Sequence, residues 1–208
     1  MLNWFRLYWF EVGIFLSLPI IVYLVTSRVS EISLILWISS ITLFIHQFEE
    51  YRYPGYFPGM INIAMYASTK PDRYPFNPNT GFIVNTIVGW IFFFLAAVFA
   101  DSFIWLGIAT ILVSVGNVIA HTFLFNIKGK TKYNPGMATA IILFLPLTIY
   151  FFYVLVTKNL ATLLDYVFGI LFGIILNYVG ILKMIDWLKD ENTSYIFPNR
   201  CLIPSMRK

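Results

Sequence analysis

Charge, cysteine and histidine are all scarce in this chain of 208 residues. Asp, Glu, Lys and Arg make up 12% of it, about half of what a soluble domain carries. With 59% hydrophobic residues and a mean hydropathy of +0.77, too little polar surface is left to clothe a water-soluble globule. The single cysteine, Cys201, excludes an internal disulfide framework and reads as an incidental residue near the end of the chain. No phosphate-cradling glycine loop, no Cys-x-x-Cys and no Gly-x-Ser-x-Gly occurs, so nucleotide hydrolysis, dithiol redox chemistry and serine-esterase chemistry find no support. The net charge of +4 is not gathered into one basic patch, which argues against nucleic acid as a partner.

Apolar sequence is abundant. A transmembrane helix needs about 20 mostly apolar residues, and such runs occur at 7–26, 31–51, 81–100, 102–125, 137–157 and 162–187. The fold class expected is therefore all-α: a polytopic membrane protein, a bundle of about six transmembrane helices. Residues 1–188 form one transmembrane domain with a long loop at 52–80, and 189–208 form a polar tail lying on the surface or partly disordered. The first apolar run is longer than a signal-peptide core and lacks a small-x-small cleavage site after it, so it reads as a retained helix. The loop is rich in Pro, Gly, Asn and Tyr; its mildly apolar middle, Met60 to Ala67, is expected on the membrane surface or re-entering it under a cover of protein.

Six spans place twelve of the fourteen Lys and Arg on the face that holds the N-terminus, leaving only Arg28 and Lys158 opposite. The positive-inside rule makes that face cytoplasmic, with both termini inside and the cytoplasmic (plasma) membrane as the location. Trp4, Tyr8 and Trp9 suit an interfacial belt, and membrane lipid is an obligatory partner. Pro19 and Pro146 fall inside spans, where a kink is expected. Gly169 and Gly173 have the small-xxx-small spacing of a helix contact, within the chain or between copies in an oligomer.

Ionisable side chains inside a bilayer are costly, about 2.5–3.5 kcal/mol for Asp, Lys or Arg at a helix centre on insertion scales. Those present mark a candidate site. The second run ends in Ile-His46-Gln-Phe-Glu49-Glu50, and the i, i+3, i+4 spacing puts His46, Glu49 and Glu50 on one helical face. The fourth carries Asn117 and His121, again one turn apart. Counting back from the expected helix ends at 1.5 Å per residue puts both histidines roughly 6–8 Å inside, in one layer. Glu11, Asn85, Asp186 and Tyr133 lie near that layer, with Asn177 deeper.

Imidazole with carboxylate is a common ligand set for Zn²⁺ or non-haem iron. His46, Glu49, Glu50 and His121 are the candidate ligands to a divalent metal. In one arrangement His46 and Glu49 bind from one helix, His121 completes the shell, and Glu50 is the general base activating water. Asn117 orients or donates to developing negative charge, with Tyr133 and Glu11 as further catalytic candidates. A metal-free site, with a glutamate shuttling protons to histidine, uses the same residues, and so does a polar cluster that only locks helices together.

The motifs His46-Gln47-Phe48-Glu49-Glu50, Asn117-Val118-Ile119-Ala120-His121 and Tyr133-Asn134-Pro135-Gly136, in this order, resemble the HXXEE family of membrane proteins. That resemblance implies a multi-helix membrane protein suspected of being an enzyme and names no substrate. A looser similarity is to intramembrane proteases with a paired-glutamate EExxxR motif, but Arg52 comes too early after Glu49-Glu50 and Asn117 stands where a Phe belongs. The expected function is metal-dependent hydrolysis of a lipid-like or membrane-embedded substrate at a cytoplasm-facing His/Glu site. The alternative is a small proton- or cation-coupled transporter or binding protein built on the same cluster.

Overall fold

The computed structural model describes residues 2–207, and the side chains of 3–207. Six helices are long and apolar enough to cross a membrane: α1 (Asn3–Thr26), α2 (Glu31–Tyr51), α4 (Pro78–Val98), α5 (Ile104–Gly129), α6 (Met137–Thr157) and α7 (Leu163–Trp187). A short helix, α3 (Phe57–Tyr66), lies in the loop between α2 and α4. Among the described residues there is no strand. Local sequence sets several ends. Ser30 caps α2 through Ser33 N at 3.1 Å, Asn77 caps α4 ahead of Pro78, and Thr162 with Asp165 forms a reciprocal capping box on α7.

The spans at 31–51 and 137–157 fall where the apolar pattern puts them. Helix α5 runs one turn past Phe125 to Gly129, because the amphipathic turn Phe125–Gly129 packs on α3 instead of entering solvent. His121 is therefore about 12 Å of helical rise from its helix end, deeper than the sequence count.

Helix α2 is the axis of the bundle. Buried positions fill 67% of its apolar window, against 22% for α7 on the periphery. Ser33, Ile35, Leu36, Phe44 and Glu50 all face protein, so α2 has no lipid-facing side of the usual width. Arg6 Nε donates to Asn79 Oδ1 at 2.9 Å, and Asn77 Nδ2 donates to Leu188 O at 3.1 Å. The start of α1, the start of α4 and the end of α7 thus meet on one face of the bundle, called the near face below.

The loop at 52–80 does not lie on the surface as a linker. Phe57, Met60, Ile61 and Asn62 of α3 are buried, and Asn62 pins the following turn through Phe76 N, Phe76 O and Pro71 O at 2.8–2.9 Å. The tail is neither disordered nor detached: Phe197 N donates to Asp72 O at 2.8 Å, and Phe197 and Cys201 are buried. Cys201 is a packing residue against Tyr51, and burial pushes its thiol up to about 12. Gly59 permits this docking, since a Cβ there would lie 2.7 Å from Cys201 O.

The glycines of α7 make contacts inside the chain. A Cβ at Gly169 would lie 2.6 Å from Ile108 Cβ, and one at Gly173 would lie 2.8 Å from Leu112 Cδ1, so α5 already occupies the face considered for contact between copies. Pro19 lies within an unbroken α1. Pro146 follows a π-helical stretch, Ala140–Phe144, where the α-helical register has already changed. Similar stretches occur at Ile83–Trp90, Ala120–Leu124 and Tyr178–Lys183, so α4 to α7 all widen in their near halves.

Candidate metal centre

Helices α2 and α5 bring His46, Glu50 and His121 together at the bottom of the near half, all three buried. Glu50 Oε1 lies 3.3 Å from His121 Nε2 and 3.7 Å from His46 Nε2, and the three ligand atoms lie within 4.8 Å of one another. Bonds of about 2.0–2.2 Å to a tetrahedral Zn²⁺ or Fe²⁺ place neighbouring ligand atoms about 3.3–3.6 Å apart; the Glu50–His121 spacing falls in that range and His46 Nε2 lies just outside it. Both Nε2 atoms are shielded from solvent and, among the described residues, neither has a hydrogen-bond partner.

The other nitrogen of each ring is held from behind, and its partner decides where the lone pair points. Asn134 Nδ2 donates to His121 O at 2.7 Å and to Asn126 Oδ1 at 2.8 Å, which turns its Oδ1 toward His121 Nδ1 at 2.6 Å. Oδ1 only accepts, so Nδ1 carries the hydrogen and the lone pair lies on Nε2. His46 Nδ1 is 2.8 Å from Thr139 Oγ1, whose hydroxyl donates to Glu49 Oε2 at 2.6 Å. The hydroxyl hydrogen is thus committed, so His46 Nδ1 donates and its Nε2 also bears a lone pair. Two lone pairs and a carboxylate oxygen aimed at one point repel each other unless a cation or a shared proton lies between them. Partners of this type, which orient a ligand by its far nitrogen, are usual behind metal-bound histidine.

The two adjacent glutamates do different work. Glu49 does not face the histidines, although its spacing on the helix allowed it. Its carboxylate accepts from Tyr133 Oη at 2.8 Å, Ala138 N at 3.2 Å, and Thr139 N and Oγ1 at 2.8 and 2.6 Å. It caps the start of α6 and orients His46 through Thr139, while Glu50 is the carboxylate that meets the histidines. Tyr133 is likewise a support for Glu49 and not a lining residue of the site; burial, and next the carboxylate it serves, raise its phenol well above the usual range and keep it a donor.

Glu11 lies outside the site, in an ion pair with Arg52 Nε at 3.1 Å on the near face. Asp186 pairs with Lys189 at the surface. Asn117, Asn85 and Asn177 do reach the cavity beside the cluster. Asn85 belongs to a polar chain in which Trp90 Nε1 donates to Gln47 Oε1, Gln47 Nε2 to Asn85 Oδ1, and Asn85 Nδ2 to Tyr51 Oη, at 2.8–3.1 Å. Asn134 and Thr139 were missed as functional residues. Asn134 had a signal, its place in the Tyr-x-Pro-Gly motif; Thr139, a hydroxyl in an apolar run, had none. Gly136 explains that motif's glycine. Its φ is +100°, and a Cβ would lie 2.7 Å from His121 Nδ1 and 2.9 Å from His46 Cε1, so only glycine lets the backbone pass both rings.

A family model described as "Protein of unknown function with HXXEE motif" matches residues 37–151, more than half of the chain. The chain belongs to the HXXEE family. No curated protein and no solved structure matches it. In this HXXEE protein the matched stretch runs from α2 to α6 and contains all three cluster residues with both groups that orient them. The motif's spacing gains a physical meaning: His46 and Glu50, at i and i+4, converge on one point, and Glu49 steers His46 indirectly.

The cluster forms part of the wall of a cavity of about 620 Å³, within the range of small-molecule sites. Its other walls are apolar residues from α3, α4, α5 and α7. Phe57, Phe125 and Phe144 ring the two imidazoles at centroid distances of 4.9–5.3 Å from a histidine or each other.

Proposed function

We propose that this HXXEE protein is an intramembrane, metal-dependent enzyme that hydrolyses a lipid-like or membrane-embedded substrate. The observation that carries the reading is the convergence of two buried imidazole Nε2 atoms and the Glu50 carboxylate on one point, with both rings fixed from behind. His46, Glu50 and His121 would hold the ion, and a bound Zn²⁺ or Fe²⁺ supplies a Lewis acid at the cavity wall. Three protein ligands are the usual number in catalytic zinc sites, where one position stays open. Among the described residues Glu50 is the one carboxylate lining the cavity; its Oε1 would face the ion, which leaves its second oxygen to take a proton. Asn117, one turn from His121 on the same wall, is placed to orient a polar substrate group. Apolar walls exclude water and strengthen every charge interaction inside.

Transport of protons or cations through the same cluster is the weaker reading. The buried histidine and glutamate side chains, His46, Glu49, Glu50 and His121, all lie in the near halves of their spans. Towards the far face the bundle is filled by Leu36, Ile108, Ile111, Phe151 and Leu155, all buried. The near face, rich in Lys and Arg, is taken as cytoplasmic on the positive-inside rule.

Elemental analysis of the purified protein tests the reading. About one zinc or iron per chain is expected, lost in His46→Ala and His121→Ala. A wild-type protein that stays metal-free after incubation with Zn²⁺ and Fe²⁺, or variants that keep the metal, would overturn it.

A further inference from the structure

The cavity has a side door. Down its far half α7 lies close on α5, through Gly169 and Gly173, and Asn177 Nδ2 donates to Leu112 O at 3.2 Å. One turn on, the partner changes: a Cβ at Gly180 would lie 2.7 Å from Val88 of α4. The π-helical stretch Tyr178–Lys183 accompanies this change of course. Helix α7 therefore swings from α5 to α4 at Asn177, and a gap opens between α5 and α7 at the level of His121. Ile119 and Leu124 edge it on one side and Ile174, Tyr178 and Leu182 on the other. All five line the cavity and yet are 39–58% exposed, as the rim of an opening toward the lipid must be.

The lining also says what passes through. Among the described residues no Lys or Arg lines the cavity, and Glu50 is the only carboxylate. Sites for phosphate and other anionic head groups are normally made with Arg, Lys or helix N-termini. The amides around the cluster are neutral: Asn85 and Asn177 spend both N–H bonds inside the protein, while Asn117 and Gln47 each spend one and keep one. An amide N–H suits an uncharged carbonyl, and with an ion at the cluster directed at that carbonyl no side-chain cation is left for an anionic head group.

We infer that the substrate is an uncharged acyl lipid, one apolar chain joined to its head by an ester or amide, entering from the bilayer between α5 and α7. This rests on the hydrolase reading above. The chain lies on the apolar walls and the carbonyl reaches the His46–Glu50–His121 point. In the reaction water's oxygen joins the acyl carbon, the acyl bond to oxygen or nitrogen breaks, and water's proton ends on the departing alcohol or amine.

Binding of oleoyl monoglyceride and of oleoyl lysophosphatidate, which carry the same chain, is measured by native mass spectrometry on the zinc-incubated full chain. Monoglyceride cleavage is followed by chromatography. Two door variants, Leu124→Trp and Ile174→Trp, stand at exposed positions where a larger side chain is tolerated by the fold. The monoglyceride is expected to bind at least tenfold tighter than the lysophosphatidate. Each door variant should lower its binding and cleavage at least tenfold while metal content stays at the wild-type level. Equal or tighter binding of the lysophosphatidate, no cleavage of the bound monoglyceride, or door variants that behave as wild type would overturn the inference. Metal content is read on the same samples, so loss of the metal reading itself registers separately.

Discussion

Glu49 and Glu50 are neighbours in sequence with opposite assignments. Glu50 shares a point with the two histidines, and Glu49 is saturated by donors from the α5–α6 connection and the start of α6. Thr139 links Glu49 to His46, accepting from the imidazole and donating to the carboxylate. Replacing Thr139 by Val keeps the shape and removes the hydroxyl. Zinc affinity, measured by competition with a chelator, is expected to fall about 10–100-fold, the usual loss for a group behind a metal ligand, with the helical signal unchanged. An affinity equal to wild type would mean that His46 is oriented by packing against Phe144 alone. The convergence of His46 and Glu50 was legible in the i, i+4 spacing, as was the common layer of His46 and His121, whereas the same spacing wrongly turned Glu49 toward the histidines. The choice between the glutamates was not, because it depends on where α6 presents its backbone N–H groups, ninety residues away.

At the scale of elements, α7 is held by small-residue contacts and an amide hydrogen bond to α5 more than by a broad buried face. Gly169→Val would drive its side chain into Ile108 and the Trp105 carbonyl. Overpacking of this kind costs about 1–3 kcal/mol, so a fall of several degrees in melting temperature in detergent is expected. An unchanged melting temperature would mean that α7 is free to shift away from α5. The small-xxx-small spacing announced a helix contact, but nothing local said whether the partner was inside the chain. The buried α3 and the docked tail were hidden for a similar reason. Their apolar residues, such as Phe57, Phe197 and Cys201, are too few and too scattered to show a period, and they are buried by one another.

For the whole molecule, the two ends of the chain, the α5–α6 connection and the cluster belong to the near face, and Arg28 and Lys158 to the far one. Lys158 is paired there with Glu31, to which Tyr150 also donates at 2.6 Å. A fluorescent-protein fusion at either terminus should fluoresce, and alkaline phosphatase fused after Lys158 should be active. The reverse pattern would put the metal point on the outside of the membrane and overturn the cytoplasmic assignment. The division of twelve basic residues against two suffices for that expectation, because insertion reads charge before any tertiary contact exists. Span number and the approximate course of each span were likewise determined by sequence alone, since apolar length is a local quantity, while the end of α5 and so the depth of His121 were not. Which carboxylate meets the histidines, which lone pairs face the cavity and where α7 parts from α5 were decided only by the tertiary structure. Each depends on groups far apart in the chain competing for the same hydrogen bonds and the same volume.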